Sequence, residues 1–163
     1  MSTLDYTAAI RRVFDDVLTR GELDAIDELI SAECVGQDPS HPAVRGPSGF
    51  KDYVTELRTA FPDLRCTIEE ICASGNTVVT KYTATGTNKG PLPGGIPATG
   101  KTSSITGISL VHFDASGKAK DWFVTWDTLG DMIQLGLIPD VRQGVPAGAQ
   151  AQAGQVGQAT THG

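Results

Sequence analysis

Gly117-Lys-Ala-Lys-Asp-Trp-Phe-Val-Thr-Trp-Asp-Thr-Leu-Gly-Asp-Met-Ile-Gln-Leu-Gly136 opens at a turn, runs as an aromatic-rich strand and closes in a short apolar helix. Trp122, Phe123, Val124 and Trp126 favour a pleated, packed surface. Strand alternation puts Lys120, Trp122, Val124 and Trp126 on one face and Asp121, Phe123 and Thr125 on the other. Both faces are bulky, so both are expected to be covered, one of them by a pocket. Asp121 and Asp127 bracket the rings.

Working back from this strand, the spacing predicts a meander. Leu64 to Cys72, Thr77 to Thr87 and Ser103 to Phe113 read as strands, with turns at Ser74-Gly-Asn76 and Asp114-Ala-Ser-Gly117 and a Gly/Pro loop from Asn88 to Gly100. Three helices precede them. Leu4 to Arg20 carries the stripe Ile10, Val13, Phe14, Val17 and Leu18. A shorter helix with Leu23, Ile26, Leu29 and Ile30 ends near Glu33. Ser48 to Ala60 places Phe50, Tyr53, Val54 and Leu57 on one face and stops at Phe61-Pro62. Between the last two helices, Cys34 to Pro47 reads as a loop, because its residues before proline avoid the helical region. Helices followed by strands make an α+β domain, an antiparallel sheet with helices on one face and a cavity between them.

Gly95-Ile-Pro-Ala-Thr-Gly-Lys-Thr102 fits a phosphate-binding loop letter for letter. The chemistry also needs a buried strand before it and a helix after it. Lys89-Gly-Pro-Leu-Pro-Gly94 cannot be a central strand, and Thr102 to Val111 alternates as a strand, so the match is read as a hairpin loop.

Composition excludes several classes. A net charge of −6 argues against a nucleic-acid or anionic-membrane partner. Cys34, Cys66 and Cys72 form no Cys-x-x-Cys pair and read as reduced, buried thiols, and with three histidines no metal site is expected. No apolar h-region follows Met1 and no apolar stretch approaches membrane-spanning length, so a cytoplasmic protein is expected. From Val141 onward the chain is Gly, Ala, Gln and Thr with little apolar bulk. The expected organisation is therefore a domain over 1–140 and a disordered tail over 141–163.

Gly46-Pro-Ser-Gly-Phe50, Phe61-Pro-Asp-Leu64, Thr83-Ala-Thr-Gly-Thr87, Gly95-Ile-Pro-Ala-Thr-Gly100, Thr106-Gly-Ile-Ser109, Trp126-Asp127 and Gln134-Leu-Gly136 together resemble the SnoaL-like polyketide cyclase (ester cyclase) family. The resemblance covers roughly Tyr6 to Gly136. It implies the NTF2-like fold, a cone-shaped curved antiparallel sheet closed by N-terminal helices around an apolar pocket, and homodimers or tetramers packed through the sheet. It also implies a polyketide-like or aromatic ligand and intramolecular aldol cyclisation by a strand Asp aided by His, without cofactor or metal. Residue by residue, the family's Asp falls on Val124, its two histidines on Trp122 and Ser109, and a His common in the first loop on Gln37.

The acid/base is therefore expected among Asp127, Asp121, His41 and Asp38. Each has a plainer role: Asp127 as a helix cap, Asp121 in a surface ion pair, His41 and Asp38 in turns. The expected substrate-binding residues are Gln37, Asp38, Tyr53, Tyr82, Ser109, Trp122, Val124 and Trp126. The chain reads as a small-molecule cyclase or isomerase, or, without the usual Asp and His, as a non-catalytic binding protein on the same fold.

Overall fold

The computed structural model describes residues 3–144. Helix α1, Thr3–Arg12, runs on as π-helical turns through Val13–Thr19. Its end is held by Gly21 at φ 75° and by Arg58, whose guanidinium donates to the carbonyls of Leu18 (2.9 Å) and Thr19 (2.7 Å). A short α2, Ile26–Leu29, leads into strand β1, Ile30–Asp38, which turns back as β2, His41–Arg45. Helix α3 is Gly46–Ala60. The remaining strands are β3 (Arg65–Ser74), β4 (Thr77–Thr87), β5 (Thr102–Phe113) and β6 (Ala119–Trp126), and α4 is Thr128–Gln134.

The six strands form one curved, unclosed sheet in the order β2-β1-β6-β5-β4-β3. The meander of β3 to β6 is antiparallel, as its turns require. Alternation holds along β4: Val78, Thr80 and Tyr82 are buried beneath the helices, while Val79 and Lys81 face outward. The first helix lies against β3 and β4, and α3 lies against β1. This is the α+β arrangement, a curved sheet with N-terminal helices across it, that the family resemblance implies.

The structure corrects three expectations. The second helix stops at Leu29, not near Glu33, because Ile30 is already extended (φ −112°, ψ 128°). Cys34 to Pro47 is not a loop but the β1–β2 hairpin; Pro42 is tolerated because β2 is an edge strand. β1 also pairs in parallel with β6, Gly36 opposite Trp122 and Gln37 opposite Phe123, so the sheet is mixed. Third, Lys120 is exposed. The β5–β6 register slips between His112 and Phe113, and Ala119 takes the inward place that simple alternation gives to Lys120.

The phosphate-loop look-alike ends at Thr102, the first residue of β5, where such a site needs a helix. Of the segment 141–163, Val141–Gln143 makes one 3-10 turn capped by Asp140, and 145–163 lie outside the described residues.

Candidate functional site

A cavity of about 130 Å³ lies between the helices and the inner face of β4, β5 and β6. Ile10 and Phe14 reach it from the first helix, Phe50 and Tyr53 from α3, and Tyr82, Ser109, Trp122 and Val124 from the sheet. The apolar stripes of the two helices are what point these rings inward. Phe50 meets Trp122 edge-on at 5.6 Å, Tyr53 lies 5.4 Å from Trp122, and Phe14 meets Tyr82 at 5.2 Å. Such pairs favour edge and offset contacts and fix each ring's place.

Two strand glycines shape this wall. A Cβ on Gly36 would stand 2.0 Å from the Trp122 indole, and one on Gly107 would stand 2.4 Å from the Tyr82 ring. Both rings therefore lie flat over a backbone stripped of side chains, each over its own cross-strand partner. Any larger residue at 36 or 107 would lift a ring into the space it now borders.

Among the described residues no carboxylate, imidazole or cationic side chain lines the cavity. Its titratable groups stay neutral. Burial raises the Cys66 thiol to about 12. Burial, with the nearby Asp38 charge, pushes Tyr53 well above its ordinary value, and burial does the same to Tyr82.

One charged group stands directly behind the wall. Asp38 is buried; its Oδ2 accepts from the Tyr53 hydroxyl (2.8 Å) and the Trp126 indole N–H (3.4 Å). Its Oδ1 accepts from the Ser40 amide (2.7 Å) and hydroxyl (2.6 Å). Burial pushes this carboxyl up, but the Ser40 and Tyr53 donors and nearby His41 outweigh it and hold it below the usual carboxylate range. His41 places Nδ1 3.5 Å from Asp38 Oδ1 and Nε2 3.2 Å from Glu56 Oε2. It faces an outer groove of about 330 Å³ formed with α3 and the loop around Leu92, and Leu57 borders both this groove and the inner cavity.

The expected residues thus fall into three places. Tyr53, Tyr82, Ser109, Trp122 and Val124 line the cavity. Asp38 and Trp126 stand behind Tyr53, with His41 beside them. Gln37, Asp121 and Asp127 are elsewhere. Gln37 is exposed on the outer face of the sheet. Asp121, on that same face, bonds His112 Nδ1 at 2.5 Å. Asp127 is exposed and caps α4, accepting from the Gly130 amide at 2.8 Å. Sequence reasoning passed over Phe14 and Phe50 as cavity residues, because a helical stripe looks the same against a core and against a void. It also passed over Gly36 and Gly107, although a glycine inside a strand signals close approach.

Among the described residues no group of three or more His, Cys, Asp or Glu is placed to hold a metal ion, and no helix is long and apolar enough to cross a membrane.

Comparison with known proteins agrees with this geometry. The SnoaL-like polyketide cyclase family matches residues 8–135. No curated protein matches the chain in sequence. Among solved structures, a SnoaL-like polyketide cyclase candidate from Jannaschia sp. CCS1 superposes with a TM-score of 0.76 at 22% identity, over 84% of this chain and 95% of that one. TsrD from Streptomyces laurentii gives 0.75 at 22%, over 85% and 99%. A polyketide cyclase candidate from Acidithiobacillus ferrooxidans gives 0.72 at 29%, over 84% and 99%.

Proposed function

This chain belongs to the SnoaL-like polyketide cyclase family, and we propose that it is a cofactor-independent cyclase or isomerase of an aromatic or polyketide-like carbonyl compound, with Asp38 as its base. The observation that carries this reading is the pairing of an uncharged aromatic cavity with one buried carboxylate joined to it through the Tyr53 hydroxyl. Asp127 and Asp121, capping a helix and paired on the outer face, are left structural roles.

The chemistry follows from how Asp38 is held. Four donor contacts make it a stable anion and therefore a weak base. A weak base removes only acidic protons, such as those of a CH₂ between two carbonyls. Asp38 stands behind Tyr53, so the Tyr53 oxygen takes that proton as its own passes to Asp38 Oδ2, and the resulting enolate carbon bonds to a second carbonyl carbon of the same molecule. The new alkoxide then recovers the proton, so nothing is oxidised and no proton is lost. Tyr53 and Trp126 keep Oδ2 in place through this cycle.

A second reading is a binding protein without turnover. It is favoured by the absence of any acid or imidazole in the cavity lining itself, with Val124 and Ser109 where the family resemblance places Asp and His. One experiment separates the two: exchange of the CH₂ protons of a phenyl-substituted 1,3-diketone into deuterated water, followed by NMR. Under the catalytic reading, Asp38→Asn lowers the exchange rate by roughly 10²–10⁴-fold with affinity unchanged. A wild-type protein that binds the diketone without exchanging its protons is a binding protein.

The outer face of the sheet supports self-association. Val79, Leu110 and Phe123 are cross-strand neighbours there, and Val79 (36%), Ile108 (43%) and Phe123 (47%) are exposed. A second copy packed on this face makes a homodimer or tetramer. Phe123→Glu then gives a monomer by light scattering. Three free thiols fit a reducing, cytoplasmic setting.

A further inference from the structure

Five polar residues are buried among the described residues: Asp38, Thr80, Asn88, Ser103 and Ser109. Asp38 and Asn88 have their side-chain polar atoms bonded, and Ser103 bonds Asp131. Thr80 Oγ1 and Ser109 Oγ have no partner among the described residues. Those two residues lie directly opposite each other in the β4–β5 register, both inward, and Ser109 lines the cavity. A buried hydroxyl has given up water, and folded chains nearly always replace that bond. Two such failures side by side, one of them on the cavity wall, mark a place where the missing partner comes from outside the chain.

We propose that Ser109 and Thr80 form a subsite for one uncharged oxygen, a carbonyl or hydroxyl, on a ligand bearing a single aromatic ring. Ser109 Oγ bonds that oxygen directly, and Thr80 stands behind it as a second hydroxyl. The ligand oxygen is neutral because none of the described residues lining the cavity is a cation that could balance a buried charge. The ring follows from the aromatic wall and from size: a dry apolar cavity of about 150 Å³ takes a benzene, and this one is about 130 Å³.

Register places the subsite relative to Asp38. Gln37 lies opposite Phe123, which brings Asp38 level with Val124, and Val124 lies opposite Ser109. Asp38 and Ser109 therefore stand two strands apart in one row, on the order of 10 Å. This is about the span of an aryl ketone carrying a reactive side arm. The inference rests on the cavity reading above and adds which end of the ligand is anchored.

The test compares acetophenone with ethylbenzene, which has nearly the same shape but lacks the oxygen, by calorimetric titration of the full chain. In the wild type the ratio of affinities favours acetophenone. Ser109→Ala is expected to lower that ratio about tenfold, the worth of one hydrogen bond, with ethylbenzene bound as before. Thr80→Val lowers it about threefold, a weaker share of the same bond. Both variants remove an unpartnered hydroxyl, so both fold. A ratio in Ser109→Ala within about twofold of the wild type overturns the subsite and leaves the cavity reading standing. Failure of both compounds to bind the wild type overturns the two together.

Discussion

Asn88 and Ser109 are both buried and polar, and their surroundings treat them in opposite ways. Asn88 Nδ2 donates to the carbonyls of Ala60 (3.2 Å) and Gly90 (2.8 Å), and its Oδ1 accepts from the Thr99 amide (2.7 Å). Its backbone bonds Lys101 and Gly100 as well. One side chain thus fastens the Gly/Pro loop from 88 to 101 to the end of α3. On the inner sheet, Ser109 and Thr80 have nothing to bond. The loop finishes its hydrogen bonding within the chain because its task is to stay put. The cavity wall leaves bonds unmade, and on the proposal above a ligand makes one of them.

The sharpest way to break that contrast is Asn88→Ala. Three hydrogen bonds are lost, which leaves the Gly90 carbonyl and the half-buried Thr99 amide without a partner while the Ala60 carbonyl keeps the Lys89 and Gly90 amides, and the loop should lose about 3 kcal/mol of stability, read as a lower urea midpoint with an unchanged slope. A loss below about 1 kcal/mol would show that the loop needs no staple. Gly36→Ala comes next. Its Cβ would collide with Trp122, so the ring must swing into the cavity. The expected cost is about 2 kcal/mol, and ethylbenzene binding should vanish in the same calorimetric assay.

A third effect appears in acid. Asp38 has a folded pKa below its unfolded value, so its contribution is present above the ordinary Asp range and fades as pH falls through the lower, folded value. Urea midpoints taken from pH 6 down to pH 3 should therefore fall more steeply in the wild type than in Asp38→Asn. Equal slopes would mean that the Tyr53–Asp38–Trp126 contacts add nothing in the charged state. Smallest, and opposite in sign, is Thr80→Val. Exchanging an unpartnered hydroxyl for a methyl should raise stability by about 1 kcal/mol. A drop instead would mean that the hydroxyl is satisfied in the folded protein, and the contrast with Asn88 would disappear.

Much of this architecture was legible from local pattern. Trp122 and Val124 share the inward face as period two requires, and Ile10 and Phe14 share a stripe as period 3.6 requires. Lys120 was misplaced because a register slip leaves no mark in composition. β1 was hidden because Gly36 and Pro39 have loop chemistry; the glycine is there to make room for an indole 86 positions later. The importance of Asp38 was only half visible. Its bonds to Tyr53 and Trp126 span 15 and 88 positions, a distance at which no local periodicity speaks.

The parallel seam between β1 and β6 has a consequence during synthesis. At a few to some twenty residues per second, on the order of ten seconds pass between the emergence of β1 from the ribosome and that of its neighbour. Through that interval the amino-terminal half must carry its greasy side uncovered. A nascent chain stalled before Ala119 is accordingly a client for chaperones, and the chamber comes into being only once Trp122 and Val124 have emerged to wall it.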